Sequence, residues 1–243
     1  MDKWNGKVAI VTGASSGIGK EIAIKLVESG MIVAGLARRI GMMEHLAASL
    51  KGEKGELHAV HVDMTNEEDI LKAFNYVTKN LGPIHVLVNN AGVARVAPLS
   101  CGKTAQWREI EAVKNMAVNN VDGHIIHINS VVGHSLRNQE RAMYGASKFA
   151  VTSLTAALRE ELNQARSKTK ITSISPGYVD TEIIDKIAET SEGLFTKETV
   201  DQFKMYSPAL KSEDVAESVL FALSTPPHVL IYEMIIRPVG EIV

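Results

Sequence analysis

Apolar and polar residues along this chain fall into two alternating rhythms. Short unbroken apolar runs recur, each followed by a stretch in which apolar residues return every three or four positions. The first kind has the length of a strand buried on both faces, and the second is the stripe of an amphipathic helix. Residues 8–11 predict a first strand and 18–28 a helix with Ile18, Ile22, Ala23 and Leu26 on one face. A second strand follows over 31–37, a second helix over 42–50 and a third strand over 57–62. Residues 65–69 carry the cap and acidic first turn of a helix running to Lys79. Further strands are expected over 84–88, 124–129, 170–175 and 229–236, with a long amphipathic helix from Tyr144 to about Arg166. The alternation, unbroken by a repeat or a change in composition, predicts an α/β fold. Its core is one doubly wound parallel sheet with helices on both faces, spanning 1–243 as a single domain.

Composition narrows the function classes. The 243 residues carry a formal charge of -2, which points away from nucleic acid and from anionic membranes. Cys101 is the only cysteine, which rules out an internal disulfide and a cysteine-based metal site. Residues 1–7 are polar and no apolar run approaches spanning length, so neither a signal peptide nor a membrane span is expected. A soluble cytoplasmic protein is the expectation. His124 and His127 lie three apart on a strand and so face opposite ways, and no metal is expected.

The first strand runs into Gly13-x3-Gly17-x-Gly19 before the first helix. Glycines there let the backbone turn sharply and approach a ligand, leaving a helix N-terminus to hold an anion. Between a strand and a helix, this pattern is a candidate dinucleotide site. At the end of the second strand, where an acid would bind a ribose 2′-hydroxyl, the chain offers Arg38 and Arg39. Two bases suit a 2′-phosphate, so NADP(H) is expected over NAD(H), with Arg38 as main phosphate partner. After the fourth strand come Asn89, Asn90, Ala91 and Gly92, where small residues let the backbone pass beneath a cofactor. The asparagine side chains can equally tie neighbouring strands together.

Chemistry enters beyond the fifth strand. Tyr144 and Lys148 lie at i and i+4, one turn apart on one helix face. An ammonium beside a phenol favours the phenolate and brings the tyrosine towards working pH, as a general acid/base requires. Ser130, at the mouth of the preceding strand, can bond the same substrate oxygen. Pro176 and Gly177 shape the turn after the sixth strand, and Thr181 follows at the edge where such sheets bind ligands.

Together, Thr12-Gly13-x3-Gly17-x-Gly19, Asp63, Asn89-Asn-Ala-Gly92, Ser130, Tyr144-x3-Lys148 and Pro176-Gly177 resemble the short-chain dehydrogenase/reductase family over nearly the whole chain. The resemblance implies a seven-stranded Rossmann sheet with Ser130, Tyr144 and Lys148 as catalytic residues. It implies cofactor contacts from Gly13, Ser15, Ser16, Gly17, Ile18, Gly19, Arg38, Arg39, Asp63, Asn90, Ala91, Gly92, Tyr144, Lys148, Pro176, Gly177, Val179 and Thr181. Lys148 would hold the nicotinamide ribose, and Asp63 would sit at the adenine. Residues 36–39, 102–104 with Trp107, and 224–228 resemble the insect farnesol dehydrogenase-like branch and the related vertebrate 17β-hydroxysteroid/3-ketosteroid reductases.

One segment departs from the family pattern. Relatives of this branch would carry about a dozen more residues between Ile110 and Glu111, including a fourth catalytic residue, an asparagine; a shorter connection can still cross the sheet. Trp107, Ile110, Val113 and Ala117 keep helical spacing over 104–119. Asn115, Asn119 and Asn120 read as helix-end and turn residues, and no relay asparagine is carried over. The family's homodimers or homotetramers are expected to be weakened here, because the shortened helix also packs subunits. The alternative to an enzyme is a cofactor-binding protein with little turnover. On the substrate side, 182–206 is the expected lid, with Ile183, Ile184, Ile187, Leu194, Phe195, Val200, Phe203 and Met205 forming an apolar face. That face points to a lipophilic alcohol or carbonyl, an isoprenoid or a steroid, or else to a helix packed on the core.

Overall fold

Val8–Thr12 (β1) is buried along its whole length, and the rest of the sheet is built outward from it. The computed structural model describes residues 1–92, 116, 119, 121–135, 142–190 and 196–241. In these, β1 is followed by helix α1 (Gly17–Glu28), β2 (Ile32–Ala37), α2 (Ile40–Ser49), β3 (Glu56–His61), α3 (Glu67–Asn80) and β4 (Ile84–Asn89). Then come β5 (His124–Ile128), α4 (Ala142–Gln164), β6 (Lys170–Pro176), α5 (Glu182–Thr190), α6 (Lys197–Tyr206), α7 (Ser212–Ser224) and β7 (Glu233–Ile236). The strands form one sheet in the order β3-β2-β1-β4-β5-β6-β7. Every pairing is parallel. The doubly wound sheet expected from the alternation is therefore present.

Because side chains alternate across a strand, β1 feeds two cores at once. Ala9 and Val11 pack with Ile22, Ala23 and Leu26 of α1 and Val215 and Val219 of α7. Val8 and Ile10 pack with Ile70, Phe74 and Val77 of α3 and Leu162 of α4. Ile18 joins the first of these cores only partly buried. Burial on both faces explains why the strands read as unbroken apolar runs.

One boundary agrees with expectation and one differs, each for a physical reason. The cap of α3 is Asn66, whose Oδ1 accepts from the Glu68 and Asp69 amides. The last strand covers only Glu233–Ile236, not 229–236. Side chains from neighbouring elements take the carbonyls that a longer ladder would use. Lys170 Nζ donates to the Val229 carbonyl at 2.6 Å, Thr172 Oγ1 to Ile231 at 2.6 Å and Arg159 Nη2 to Tyr232 at 2.7 Å.

The helix expected over 104–119 lies outside the described residues except at two points. Met116 is fully buried in the second core, and its carbonyl accepts from the Val121 amide. Asn119 sits in a turn, as read from the sequence. His124 and His127 do face opposite ways, one towards Thr172 of β6 and the other towards Thr155 of α4.

Candidate active site

The strand order reverses between β1 and β4, with β2 on one side of β1 and β4 on the other. At such a switch point the loops leaving adjacent strand ends diverge and open a crevice. The expected site residues lie at those ends: the glycine turn after β1, the arginines after β2, Asp63 after β3, Asn90–Gly92 after β4, Ser130 after β5 and 176–181 at and beyond the end of β6.

The turn after β1 is held from behind. Thr12 Oγ1 donates to the Val88 carbonyl and accepts from the Asn90 and Ala91 amides at 3.0 and 2.9 Å. Asn90 Nδ2 donates to the Thr12 carbonyl at 2.9 Å. Asn90 therefore ties β4 to β1, the bracing role that the sequence left open beside direct cofactor contact. Gly13 and Gly17 adopt φ of 68° and 55°, which disfavours any residue with a Cβ. A Cβ at Gly17 would lie 3.3 Å from the Thr181 methyl, so Thr181 stands directly across the turn.

Ser16 caps α1 in an extended conformation without a side-chain bond to the helix, and the first turn carries no acid. Ile18 and Gly19 belong to that first turn. An N-terminus of this kind presents amide donors and a positive dipole end, a donor set that fits a pyrophosphate.

The two arginines diverge. Arg39 Nε bonds Ser15 Oγ at 3.3 Å, one Nη bonds Ser16 Oγ and the other bonds Glu182 Oε2 at 3.0 Å. Arg38 lies towards Asp63 and adds to the influences that lower that carboxyl. The larger influences are the Thr65 amide and hydroxyl, which both donate to Asp63 Oδ1, at 2.9 and 2.8 Å. The bridge from Arg39 to Glu182 was not anticipated: the two are 143 residues apart, and no local pattern links them.

On the other side of the switch point, Ser130 is buried and opens a 3-10 turn over Val131–Gly133, its Oγ accepting from the Val132 amide. Lys148 Nζ donates to the Ile128 carbonyl at 3.0 Å and lies 5.8 Å from the centre of the Tyr144 ring. Burial of the ammonium lowers its pKa from 10.5 to about 8. Asn129, between Ile128 and Ser130, donates from Nδ2 to Thr152 Oγ1 on α4. A Cβ at Gly133 would come within 2.8 Å of both the Asn129 amide and the Lys148 carbonyl, so this turn packs flush on α4.

Beyond β6, Val179 is buried and bridges Leu210. The Glu241 carboxylate accepts from the Tyr178 amide at 2.9 Å and fills the space beside Gly177, a brace from the distant end of the chain. In the expected lid, α5 and α6 are tied by Lys204, whose Nζ lies 2.6 Å from Asp185. Val200 is buried and the Phe203 ring lies tilted against Tyr178, whereas Met205 is 77% exposed and does not belong to a packed apolar face. Leu194, Phe195 and the Ile187 side chain lie outside the described residues. No group of three or more His, Cys, Asp or Glu side chains that could hold a metal occurs among the described residues.

The family model for short chain dehydrogenases matches residues 7–192. A farnesol dehydrogenase of Aedes aegypti is 45% identical over 258 aligned positions, covering 99% of each chain; those positions outnumber the 243 residues here, so that relative has residues this chain lacks. Dehydrogenase/reductase SDR family member 11 of Bos taurus is 40% identical over the whole of both chains. Among solved structures, the closed form of a serine dehydrogenase complexed with NADP+ superimposes with a TM-score of 0.82 at 25% identity, covering 97% of this chain and 96% of that one. With its strand order reversing at β1 and β4 and its matches along nearly the full length, the chain belongs to the short-chain dehydrogenase family and is an oxidoreductase.

Proposed function

We propose that this oxidoreductase moves a hydride between NADP(H) and a lipophilic secondary or allylic alcohol or carbonyl, an isoprenoid such as farnesol or a steroid. The position of Lys148 carries the proposal: its ammonium lies over the Tyr144 ring at 5.8 Å and is anchored on the Ile128 carbonyl, two residues before Ser130. A fixed cation there favours the phenolate of Tyr144, which takes the hydroxyl proton when an alcohol is oxidised and returns it when a carbonyl is reduced. Ser130 donates to the same oxygen and holds the reacting carbon in place. The nicotinamide, when bound, accepts or supplies the hydride.

NADP(H) is the proposed cofactor because the end of β2 carries Arg38 and Arg39 and no acid, and Arg39 already rests on Ser15 and Ser16. The amides of α1, the Gly13–Gly19 turn, Asp63, Asn90–Gly92 and the 176–181 segment would hold the rest of it. The substrate class rests on the farnesol dehydrogenase relative and on the apolar residues of 182–206. No described helix is long and apolar enough to cross a membrane, and a cytoplasmic location goes with this reading. A weakened homo-oligomer also goes with it; Phe221, Tyr232 and Ile235 are exposed.

The test is a fluorescence titration with NADPH and NADH, followed by turnover assays on farnesol and on steroid alcohols with wild type and Tyr144→Phe. NADPH is expected to bind more tightly, and Tyr144→Phe to abolish turnover. Preference for NADH, or turnover indifferent to Tyr144→Phe, overturns the proposal. Tight NADPH binding with no turnover on any alcohol or carbonyl points instead to a cofactor-binding protein.

A further inference from the structure

We infer that Glu182 is a specificity-determining residue of the nucleotide site: it is the internal counter-ion of Arg39 and limits how strongly a 2′-phosphate is preferred over a 2′-hydroxyl. The inference rests on the proposed NADP(H) site and concerns a residue that the glycine turn, the catalytic tyrosine and the lysine leave untouched.

Three of the nitrogens of Arg39 are engaged at once, by Ser15 Oγ, Ser16 Oγ and Glu182 Oε2. The serines belong to the turn that receives the phosphates, so the guanidinium spans from that turn to the first residue of α5. The Arg39 hydrogen bond holds the Glu182 carboxyl below its ordinary range, so the pair is ionised at neutral pH. A cleft of about 770 Å³ opens beside Glu182, lined by Ser15, Ser16, Thr181 and Lys211 and by the acids Glu21, Asp180 and Glu213.

The pair is built to exchange. Its side chains are 41% and 48% exposed, and an ion pair so open to water is weak and screened by salt. A phosphomonoester carries nearly two charges and three acceptor oxygens, against one charge and two oxygens for Glu182. A 2′-phosphate reaching Arg39 therefore displaces the carboxylate or binds against its repulsion. A nucleotide with a 2′-hydroxyl lacks this extra charge, and the other phosphates are common to both kinds. Glu182 thus penalises the 2′-phosphorylated nucleotide more than the 2′-hydroxyl one. Lys204 also ties α5 to α6 through Asp185.

The experiment compares wild type, Glu182→Gln, Arg39→Gln and the double variant. Adenosine 2′,5′-bisphosphate and adenosine 5′-monophosphate are titrated by calorimetry, and NADPH and NADH by fluorescence, at low and high salt. Glu182→Gln, nearly the same shape on an exposed site, is expected to bind the bisphosphate and NADPH up to about fivefold more tightly, with a smaller gain or none for the monophosphate and NADH. The gain should shrink at high salt and vanish in the Arg39→Gln background. No gain, or an equal gain for both kinds of nucleotide, overturns the role given to Glu182. Wild type that prefers NADH or binds neither nucleotide sinks the NADP(H) site itself, and the inference with it. Wild type that prefers NADPH without a selective gain in Glu182→Gln sinks only the inference.

Discussion

Lys148 reaches from α4 to the last residue of β5, donating to the Ile128 carbonyl at 3.0 Å. This bond locks the helix carrying Tyr144 to the strand end carrying Ser130, and it sets the ammonium beside the phenol ring. Geometry and electrostatics at the candidate site therefore share one side chain.

Removing that side chain should affect both. Lys148→Met is expected to lower kcat by about a hundredfold or more and to move the pH–rate profile upward, because the phenolate loses its cation. Lys148→Arg should recover part of the rate. Stability gives an independent reading. The folded protein holds this lysine's pKa at about 8 against 10.5 ordinarily, so between those values the unfolded chain binds more protons and stability rises with pH. Melting curves from pH 7.5 to 10 should show that rise in wild type and lack it in Lys148→Met. Parallel curves would contradict the account.

Thr12 braces the glycine turn with one hydroxyl shared among Val88, Asn90 and Ala91. The residue is almost fully buried, so Thr12→Val strands two amides without water. A loss of about 2 kcal/mol in urea unfolding is expected, with weaker NADPH binding, whereas Thr12→Ser should stay near wild type. If Thr12→Val unfolds at the wild-type midpoint, the brace carries no weight.

His124 is buried against Thr172 and kept neutral by desolvation, with Lys170 and Lys3 adding to the effect, so its pKa falls from 6.5 to about 3. A depressed pKa contributes stability above the ordinary value and loses it as pH falls towards the folded one. Acid unfolding should therefore show a His124 contribution between about pH 6.5 and 3. His124→Gln, which keeps a hydrogen-bonding side chain but cannot titrate, should flatten that part of the curve. An unchanged slope would rule it out.

Much of the fold was legible because its signals are local. β1 and β4 announce themselves as apolar runs, since both faces of a parallel strand are buried, and α3 by its acidic first turn behind a capping asparagine. The glycine turn and the Tyr144–Lys148 spacing are equally local, each a matter of a few bonds along one backbone. Val229–Tyr232 misled because the residues have strand chemistry, while Lys170, Thr172 and Arg159 take their carbonyls from other elements.

The order of elements, the sheet class and the residue types at each strand end were determined by the sequence alone, because period and turn chemistry act over short stretches. Which arginine rests on the serines, that Asn90 ties β4 back to β1, that Glu182 faces Arg39 and that Glu241 braces Tyr178 were decided only by the tertiary structure. Those pairs join residues from 23 to 143 positions apart. A hydrogen bond or ion pair depends on distance in space, and that distance exists only once the sheet has assembled.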